Sequence, residues 1–156
     1  SIIMPIFNHK NYKFEGPYIH FASLPEGISH DEWELPDYKQ CEEHEFYCMP
    51  ETILELICRM THRYGFFDPH GYSEYRKATA IDGLVAEVLS RASEIAACPL
   101  FYFTNEVVIY DELEVPIVAD DLNTRLKQDL LDTLLFLANQ FLEVKNQGRC
   151  LAIIGI

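Results

Sequence analysis

Apolar residues recur at helical spacing in three segments of the chain, and each segment predicts an amphipathic helix. The first lies between Pro50 and Gly65, because proline suits the first turn of a helix and glycine commonly ends one. The second begins near Tyr75 or Ala78 and ends before Pro99. Its apolar stripe comprises Ile81, Leu84, Val85, Val88, Leu89, Ala92, Ile95 and Ala96.

The third helical segment has the widest apolar face. It begins near residues 119–121, where acidic side chains favour a helix N-terminus, and it ends near Gly148. Its stripe comprises Leu122, Leu126, Leu130, Leu134, Leu137 and Phe141, widened by Leu131, Leu135 and Leu142. A face this wide exceeds what a surface helix needs, so we expect this helix to be the central one.

Shorter apolar runs predict strands at residues 2–7, 18–22, 115–118 and 150–154, and a β-hairpin at 100–110. Residues 24–49 predict a long irregular loop with one short helical turn near 30–35. The predicted fold class is α+β, with about three helices and a central C-terminal helix packed on a small, mainly antiparallel sheet. At 156 residues and 49% hydrophobic content, the chain can fill one core, which predicts a single globular domain over 1–156.

Negative charge is concentrated in two stretches. Residues 26–45 carry eight carboxylates and one lysine, a net charge of −7, and residues 106–121 carry six carboxylates and no base, a net charge of −6. Together they match the net charge of −13 of the whole chain. Nucleic-acid phosphates and anionic membrane surfaces repel such a protein, so we expect it to bind neither nucleic acid nor membranes directly.

Both acidic stretches contain large apolar side chains, which solvation alone does not require. Trp33, the only tryptophan, lies in a loop where acids alternate with apolar residues. Negative charge around rigid aromatic anchors suits a surface that binds a basic partner. The aromatic segment 64–75 lies between two helices and turns at 68–71, and it adds Asp68, Tyr72 and Tyr75, which are expected to face at least partly outward. The residues predicted to contact the partner are Asp31, Glu32, Trp33, Glu34, Asp37, Tyr38, Asp68, Tyr72, Tyr110, Asp111 and Glu112.

Cys41, His44 and Cys48 have the residue types and close spacing of half a metal site. A structural zinc ion needs about four ligands, and the fourth would have to be His30 or a more distant histidine. Such sites usually pair two regular knuckles, whereas this chain has one irregular one. The sequence therefore favours an ordinary surface turn with a half-buried cysteine, and no metal or cofactor is expected.

The chain has no nucleophile motif, phosphate-binding glycine loop or zinc-protease motif, so an enzyme is not expected. The alternative is a small enzyme that uses His20, His30 or His70 with a nearby carboxylate for acid–base chemistry. No segment is typical of a signal peptide, and five cysteines, an odd number, suit reduced thiols. Both features predict a cytoplasmic location.

In overall character, the chain resembles the immunity proteins of bacterial toxin systems, of the contact-dependent growth inhibition and colicin types. The acid–aromatic runs at 30–38 and 110–114 carry this likeness, which is not one of sequence motif. The resemblance implies an inhibitor that binds and neutralises a basic toxin domain, often a nuclease. We expect a monomer or weak dimer. The alternative binding function is a DNA-mimic inhibitor of DNA-binding proteins, although residues 57–91 are nearly neutral.

Overall fold

The computed structural model describes residues 18–25, 38–50, 72–97 and 120–155. The strands within these ranges are β1 (Tyr18–Leu24), β2 (Glu45–Pro50), β3 (Tyr72–Tyr75) and β4 (Cys150–Gly155). The helices are α1 (Tyr38–Glu43), α2 (Ala78–Ala97) and α3 (Asp120–Asn146). The arrangement is α+β with helices packed on a sheet, which confirms the predicted fold class. The assignment of residues 1–156 to one domain stays a prediction.

The four strands form one sheet in the order β2-β1-β4-β3, and every neighbouring pair is antiparallel. The predicted strands at 18–22 and 150–154 are confirmed as β1 and β4, the two central strands. In their register Ile19 lies opposite Gly155, and Leu24 lies opposite Cys150. The centre of the sheet therefore joins segments that are far apart in sequence.

One face of the sheet packs against α2 and α3, and we call it the helix-covered face. Successive side chains of a strand point to opposite faces. The buried residues on this face are Ile19, Phe21, Tyr47, Met49, Leu151 and Ile153. The ring of Phe21 lies 6.1 Å from that of Tyr47 and 5.9 Å from that of Phe141 on α3, between ring centroids. The hydrophobic core therefore lies between this face and the two long helices.

The helix α2 confirms the predicted helix and most of its predicted apolar stripe. Its buried apolar residues are Ile81, Leu84, Val85, Val88, Ala92 and Ile95. Two predicted members of the stripe differ, because Leu89 is 41% exposed and Ala96 is also exposed. The stripe is wider than the face that the core covers, and these two residues lie at its margins.

The helix α3 confirms the predicted long C-terminal helix, and Gly148 sets its end. Gly148 has a left-handed φ of 67°. Its amide donates to the carbonyl of Lys145, and the amide of Arg149 donates to that of Val144, both at 3.0 Å. This is a Schellman cap, which satisfies the last carbonyls and turns the chain into β4.

From residue 127 onwards the apolar stripe of α3 is buried on one side of the helix, and the side chains of Leu122 and Leu126 lie outside the described part of the structure. Leu130, Leu134, Leu137 and Phe141 are fully buried, whereas Leu135 is 49% exposed. The stripe is thus wider than the surface that the sheet and α2 cover. Neither α3 nor any other helix in the described ranges is both long and apolar enough to cross a membrane.

The prediction of a long irregular loop over 24–49 is wrong for residues 38–49, which form α1 and most of β2. Its acidic residues are typical of a solvated loop, and a bulge in β2 interrupts the alternation that marks a strand. The sequence assigns no strand to Tyr72–Tyr75, in the segment between two predicted helices, whereas the structure has the edge strand β3 there. The elements predicted at 2–7, 30–35, 50–65, 100–110 and 115–118 lie outside the described residues.

Candidate functional site

The outer face of the sheet, opposite α2 and α3, carries most of the reactive side chains of the strands. Its middle is apolar and buried, with Ala22, Leu24, Ala152 and Ile154 packed together with Cys150 and with Cys41 of α1. Towards the β2 edge this face carries an imidazole, a carboxylate and a thiol. On β3 it carries Glu74, which lies opposite Ala152. Ionisable groups therefore flank an apolar middle.

His20, Glu45 and Cys48 form a cluster on the outer face, which we call the cross-strand triad. His20 of β1 lies directly opposite Cys48 of β2. The potential ligand atoms of the three side chains all lie within 4.8 Å of one another. The imidazole Nδ1 of His20 contacts the carboxylate Oε1 of Glu45. No other group of three or more His, Cys, Asp or Glu residues in the described ranges is gathered this closely.

A β-bulge in β2 brings Glu45 to the outer face. Ala22 of β1 lies opposite Glu45, whereas the residue before Ala22 lies opposite Tyr47, so Phe46 is an extra residue. In a regular strand, residues three positions apart, such as Glu45 and Cys48, point to opposite faces. The extra residue places both on the outer face, while Phe46 and Tyr47 both pack against the core.

The triad is partly open to solvent. The side chains of His20 and Glu45 are each 32% exposed, and Cys48 is half-buried. Burial raises the pKa of the Cys48 thiol, and the nearby carboxylate of Glu45 raises it further. A nucleophilic cysteine needs the opposite shift, because the thiolate is the reactive form. The triad therefore does not activate Cys48 as a nucleophile.

Each member of the triad is a ligand that transition metals accept. Imidazole nitrogen, carboxylate oxygen and thiolate sulfur all bind zinc. The pair His20–Glu45 also has the composition of the acid–base alternative, an imidazole beside a carboxylate. His30 and His70, the other candidates for that chemistry, lie outside the described residues. The triad can thus bind a cation or exchange protons with solvent.

The predicted metal half-site of Cys41, His44 and Cys48 is not gathered into one cluster. Cys41 lies on α1 and is only 4% exposed, within the buried middle of the outer face. His44 lies in the turn that follows α1, with its Nδ1 3.3 Å from Nη2 of Arg149. Cys48 lies on β2 beside His20 and Glu45. Because a helix, a turn and a strand carry the three residues, close sequence spacing does not produce convergence.

A second polar group surrounds Cys150. Its Sγ donates to Oε1 of Glu74 at 3.1 Å, and Nε and Nη2 of Arg76 donate to the two oxygens of that carboxylate at 3.0 and 3.2 Å. Burial raises the pKa of Cys150 to about 12, and the hydrogen bond and charge of Glu74 add to the effect. Cys150 is buried, and its thiol is neutral.

Two of the predicted partner-binding residues fall within the described elements. Tyr38 is the first residue of α1, and Tyr72 is the first residue of β3, opposite Ile154. Tyr75, expected to face at least partly outward, is half-buried and packs against the core. The other predicted contacts lie outside the described residues, namely Asp31, Glu32, Trp33, Glu34, Asp37, Asp68, Tyr110, Asp111 and Glu112.

The described part of the first acidic stretch exposes its carboxylates. Glu42 and Glu43 at the end of α1 are exposed, and neither has an ion-pair partner among the described residues. By contrast, the carboxylates of Asp82 and Glu87 on α2 pair with Lys145 and Arg91. Among the described residues, the end of α1 therefore presents two exposed carboxylates that no ion pair offsets.

The sequence alone indicates each member of the cross-strand triad, but it does not predict that the three lie close together. His20 appears as a possible acid–base residue, Glu45 within an acidic stretch, and Cys48 within a different metal set. The regular two-residue period of a strand would place Glu45 and Cys48 on opposite faces, and only the bulge brings them to the same face. The available signal is the adjacent pair Phe46-Tyr47, because two consecutive large apolar residues interrupt the two-residue alternation of a strand, as a bulge does.

Comparison of the chain with models of known protein families gave no match, and comparisons with curated proteins and with solved structures gave none either.

Proposed function

We propose that this chain is an immunity protein, which binds and neutralises a basic toxin domain, commonly a nuclease, in the cytoplasm. The observation that carries the proposal is the distribution of charge. The net charge of −13 is matched by two short stretches that also contain aromatic side chains, including the only tryptophan. A surface of this composition attracts a basic protein and can then hold it through desolvated aromatic contacts.

The exposed end of α1 supports this proposal. Glu42 and Glu43 belong to the first acidic stretch, and both face solvent without an ion-pair partner among the described residues. The helix is held in place by Cys41, which is buried against the outer face of the sheet. The two carboxylates are therefore presented on a fixed element, and a basic partner would find them preorganised.

The proposed inhibition follows from the electrostatics of nucleases. A nuclease cleft is positively charged because it must hold phosphates. A carboxylate-rich surface can occupy or border that cleft and exclude the nucleic acid. Long-range attraction raises association rates towards about 10⁸ M⁻¹s⁻¹ at low salt, so that the toxin is bound before it acts. Trp33 and Tyr38 would then slow dissociation.

The first test is affinity capture on the immobilised chain, from the lysate and secreted fraction of the source organism. Bound protein is eluted with a salt gradient and identified by mass spectrometry. We expect one basic protein, bound stoichiometrically and released at high salt. Capture of no basic protein from either fraction would contradict the proposal.

Matched charge variants then locate the interface on the captured protein. Glu42→Gln with Glu43→Gln removes two exposed charges from α1, and Asp132→Asn with Glu143→Gln removes two exposed charges from α3. The α1 variant should lower the association rate constant and its salt dependence, whereas the α3 variant should change both much less. If the two variants had equal effects, the net charge alone would determine the association rate constant, and α1 would not lie in the interface.

The alternative functions give different results in the same assay. A DNA-mimic inhibitor would capture several unrelated DNA-binding proteins, whereas an immunity protein captures one. The small-enzyme alternative draws on the contact between His20 and Glu45. It would be favoured if the chain converted a small molecule and if His20→Gln abolished that activity without changing partner capture.

A further inference from the structure

We propose that His20, Glu45 and Cys48 form a binding site for a divalent transition-metal ion of the zinc type. The site differs from the metal half-site that the sequence suggests, and it runs against the expectation that the chain binds no metal. It does not rest on the proposed immunity function. A zinc ion at this position would join β1 to the edge strand β2.

The chemistry of the three side chains selects the class of metal. Calcium and magnesium are hard cations that prefer oxygen ligands. A thiolate and an imidazole together favour softer ions such as zinc. Three protein ligands with water in the fourth position is the usual composition of an accessible zinc site. The partial exposure of His20 and Glu45, 32% each, leaves room for that water.

The geometry is close to what a tetrahedral ion requires. Ligand atoms bound at about 2.0–2.3 Å from zinc lie about 3.3–3.8 Å from one another. The corresponding atoms of the triad already lie within 4.8 Å of one another. Small rotations of side chains that are partly exposed can supply the remaining approach. His20 and Cys48 are directly paired across the two strands, so their side chains start from neighbouring positions on the same face.

The bulge in β2 is an independent reason to assign a ligand site here. It costs one position of regular pairing between β1 and β2, and its effect is to place Glu45 beside His20 and Cys48. Bulges commonly re-aim side chains next to functional sites. Without the extra residue Phe46, the carboxylate of Glu45 would point to the helix-covered face, where burial of a charge is strongly unfavourable.

Binding of the metal ion would release the thiol proton of Cys48. The ion forms a bond to the sulfur of Cys48 as the thiol proton leaves to solvent. The contact between His20 and Glu45 is replaced by one bond from each side chain to the ion. The competing state is the metal-free triad, in which His20 and Glu45 form a cross-strand pair. The proposal therefore requires that zinc displaces this pair at micromolar concentration.

Cobalt titration tests the proposal directly, because Co²⁺ substitutes for zinc and reports sulfur ligation. Co²⁺ is added to the full metal-free chain under reducing conditions, and the near-ultraviolet thiolate-to-cobalt absorption is recorded. We expect saturation at one equivalent and loss of the absorption when Zn²⁺ is added. Absence of a thiolate-to-cobalt band would overturn the proposal and leave the triad as a cross-strand pair.

Matched variants distinguish this site from any other cysteine or histidine in the chain. Cys48→Ser should abolish the cobalt band, and His20→Gln and Glu45→Gln should weaken Zn²⁺ binding at least about tenfold. Their controls are Cys41→Ser, His44→Gln and Glu42→Gln, which should retain wild-type binding. Retention of the band in Cys48→Ser would place the metal elsewhere and overturn the assignment.

Thermal unfolding with and without Zn²⁺ separates lost binding from lost folding. Zinc should raise the Tm of the wild-type chain, because it binds the folded state, and should raise that of Glu45→Gln by a smaller amount at the same zinc concentration. Glu45 is partly exposed, so this variant should fold even if Cys48→Ser does not. A zinc-dependent rise in Tm of wild-type size in Glu45→Gln would contradict its role as a ligand.

Discussion

The two faces of the four-stranded sheet are built from the same strands but carry different chemistry. The helix-covered face presents aromatic and aliphatic side chains to α2 and α3, and it forms the main core. The outer face alternates with it and carries histidine, glutamate and cysteine around a buried apolar middle. The charged end of α1 also belongs to this second side, because α1 packs there through Cys41.

This difference separates the stability of the fold from its capacity to bind. Burial of apolar area is the dominant favourable term in folding, and here it is concentrated between the sheet and the long helices. The outer face contributes less buried area at its β2 edge, where the triad is partly exposed. Substitutions on the first face should therefore change stability, and substitutions at the edge of the second should change binding.

The largest expected effect is the loss of a core aromatic. Phe141 of α3 is fully buried and contacts the rings of Phe21 and Phe46. Phe141→Ala should lower the free energy of unfolding by about 3–5 kcal/mol through lost transfer energy and the cavity left behind. Denaturant titration measures this change. Leu135→Ala on the same helix is the control, and since Leu135 is 49% exposed its effect should stay within about 1 kcal/mol.

A smaller effect is expected where Arg149 joins the two central strands. Its Nη2 donates to the carbonyl of Ser23 at 2.6 Å, and its Nε donates to the hydroxyl of Ser23 at 2.8 Å. Arg149→Ala should lower the free energy of unfolding by about 1–3 kcal/mol, because a half-buried carbonyl loses its partner. Arg76→Ala is the control, since that guanidinium is 49% exposed. A loss for Arg76→Ala as large as that for Arg149→Ala would contradict this explanation.

Alkaline pH should destabilise the fold through Cys150. Its pKa is raised from 9.0 to about 12 in the folded state, chiefly by burial. As the pH rises above about 9, the unfolded thiol ionises first, so the stabilising contribution present below pH 9 is lost progressively up to pH 12. The free energy of unfolding should fall over this range, and less steeply in Cys150→Ala. An unchanged slope would show that Cys150 does not control the alkaline transition.

The smallest effect on stability is expected at the cross-strand triad. Without metal, His20→Gln should change the free energy of unfolding by no more than about 1 kcal/mol, because partly exposed ion pairs contribute little. Denaturant titration in the presence of a chelator measures it. A loss comparable to that of Phe141→Ala would show that the outer edge supports the fold as much as the core does.

The sequence predicts the regular parts of the fold well because their signals are local. The apolar stripe of α2 and the leucines of α3 follow helical periodicity, and Gly148 marks the end of α3. The run at Cys150–Gly155 is apolar throughout, as expected of a strand buried on both faces. Each of these elements is encoded within about 30 residues.

The triad could not be predicted because its signals are not local. His20 and Glu45 are 25 positions apart, and their contact depends on the pairing of β1 with β2. Glu45 and Cys48 share a face only because of the bulge at Phe46. β2 begins at the end of an acidic stretch, where solvation and strand formation give opposite signals. The pairing of β2 with β1 decides whether this segment forms a strand or a loop. The residue pattern of a single segment carries no information about that pairing.

The central claim is that the acidic surface neutralises a basic toxin domain, and a neutralisation titration tests it most directly. The toxic activity of the captured basic protein is measured while increasing amounts of this chain are added. We expect the activity to fall linearly to zero at one equivalent of the wild-type chain. Trp33→Ala should weaken the complex, so that more than one equivalent of this variant is needed for full neutralisation. Full activity in the presence of excess chain would contradict the claim.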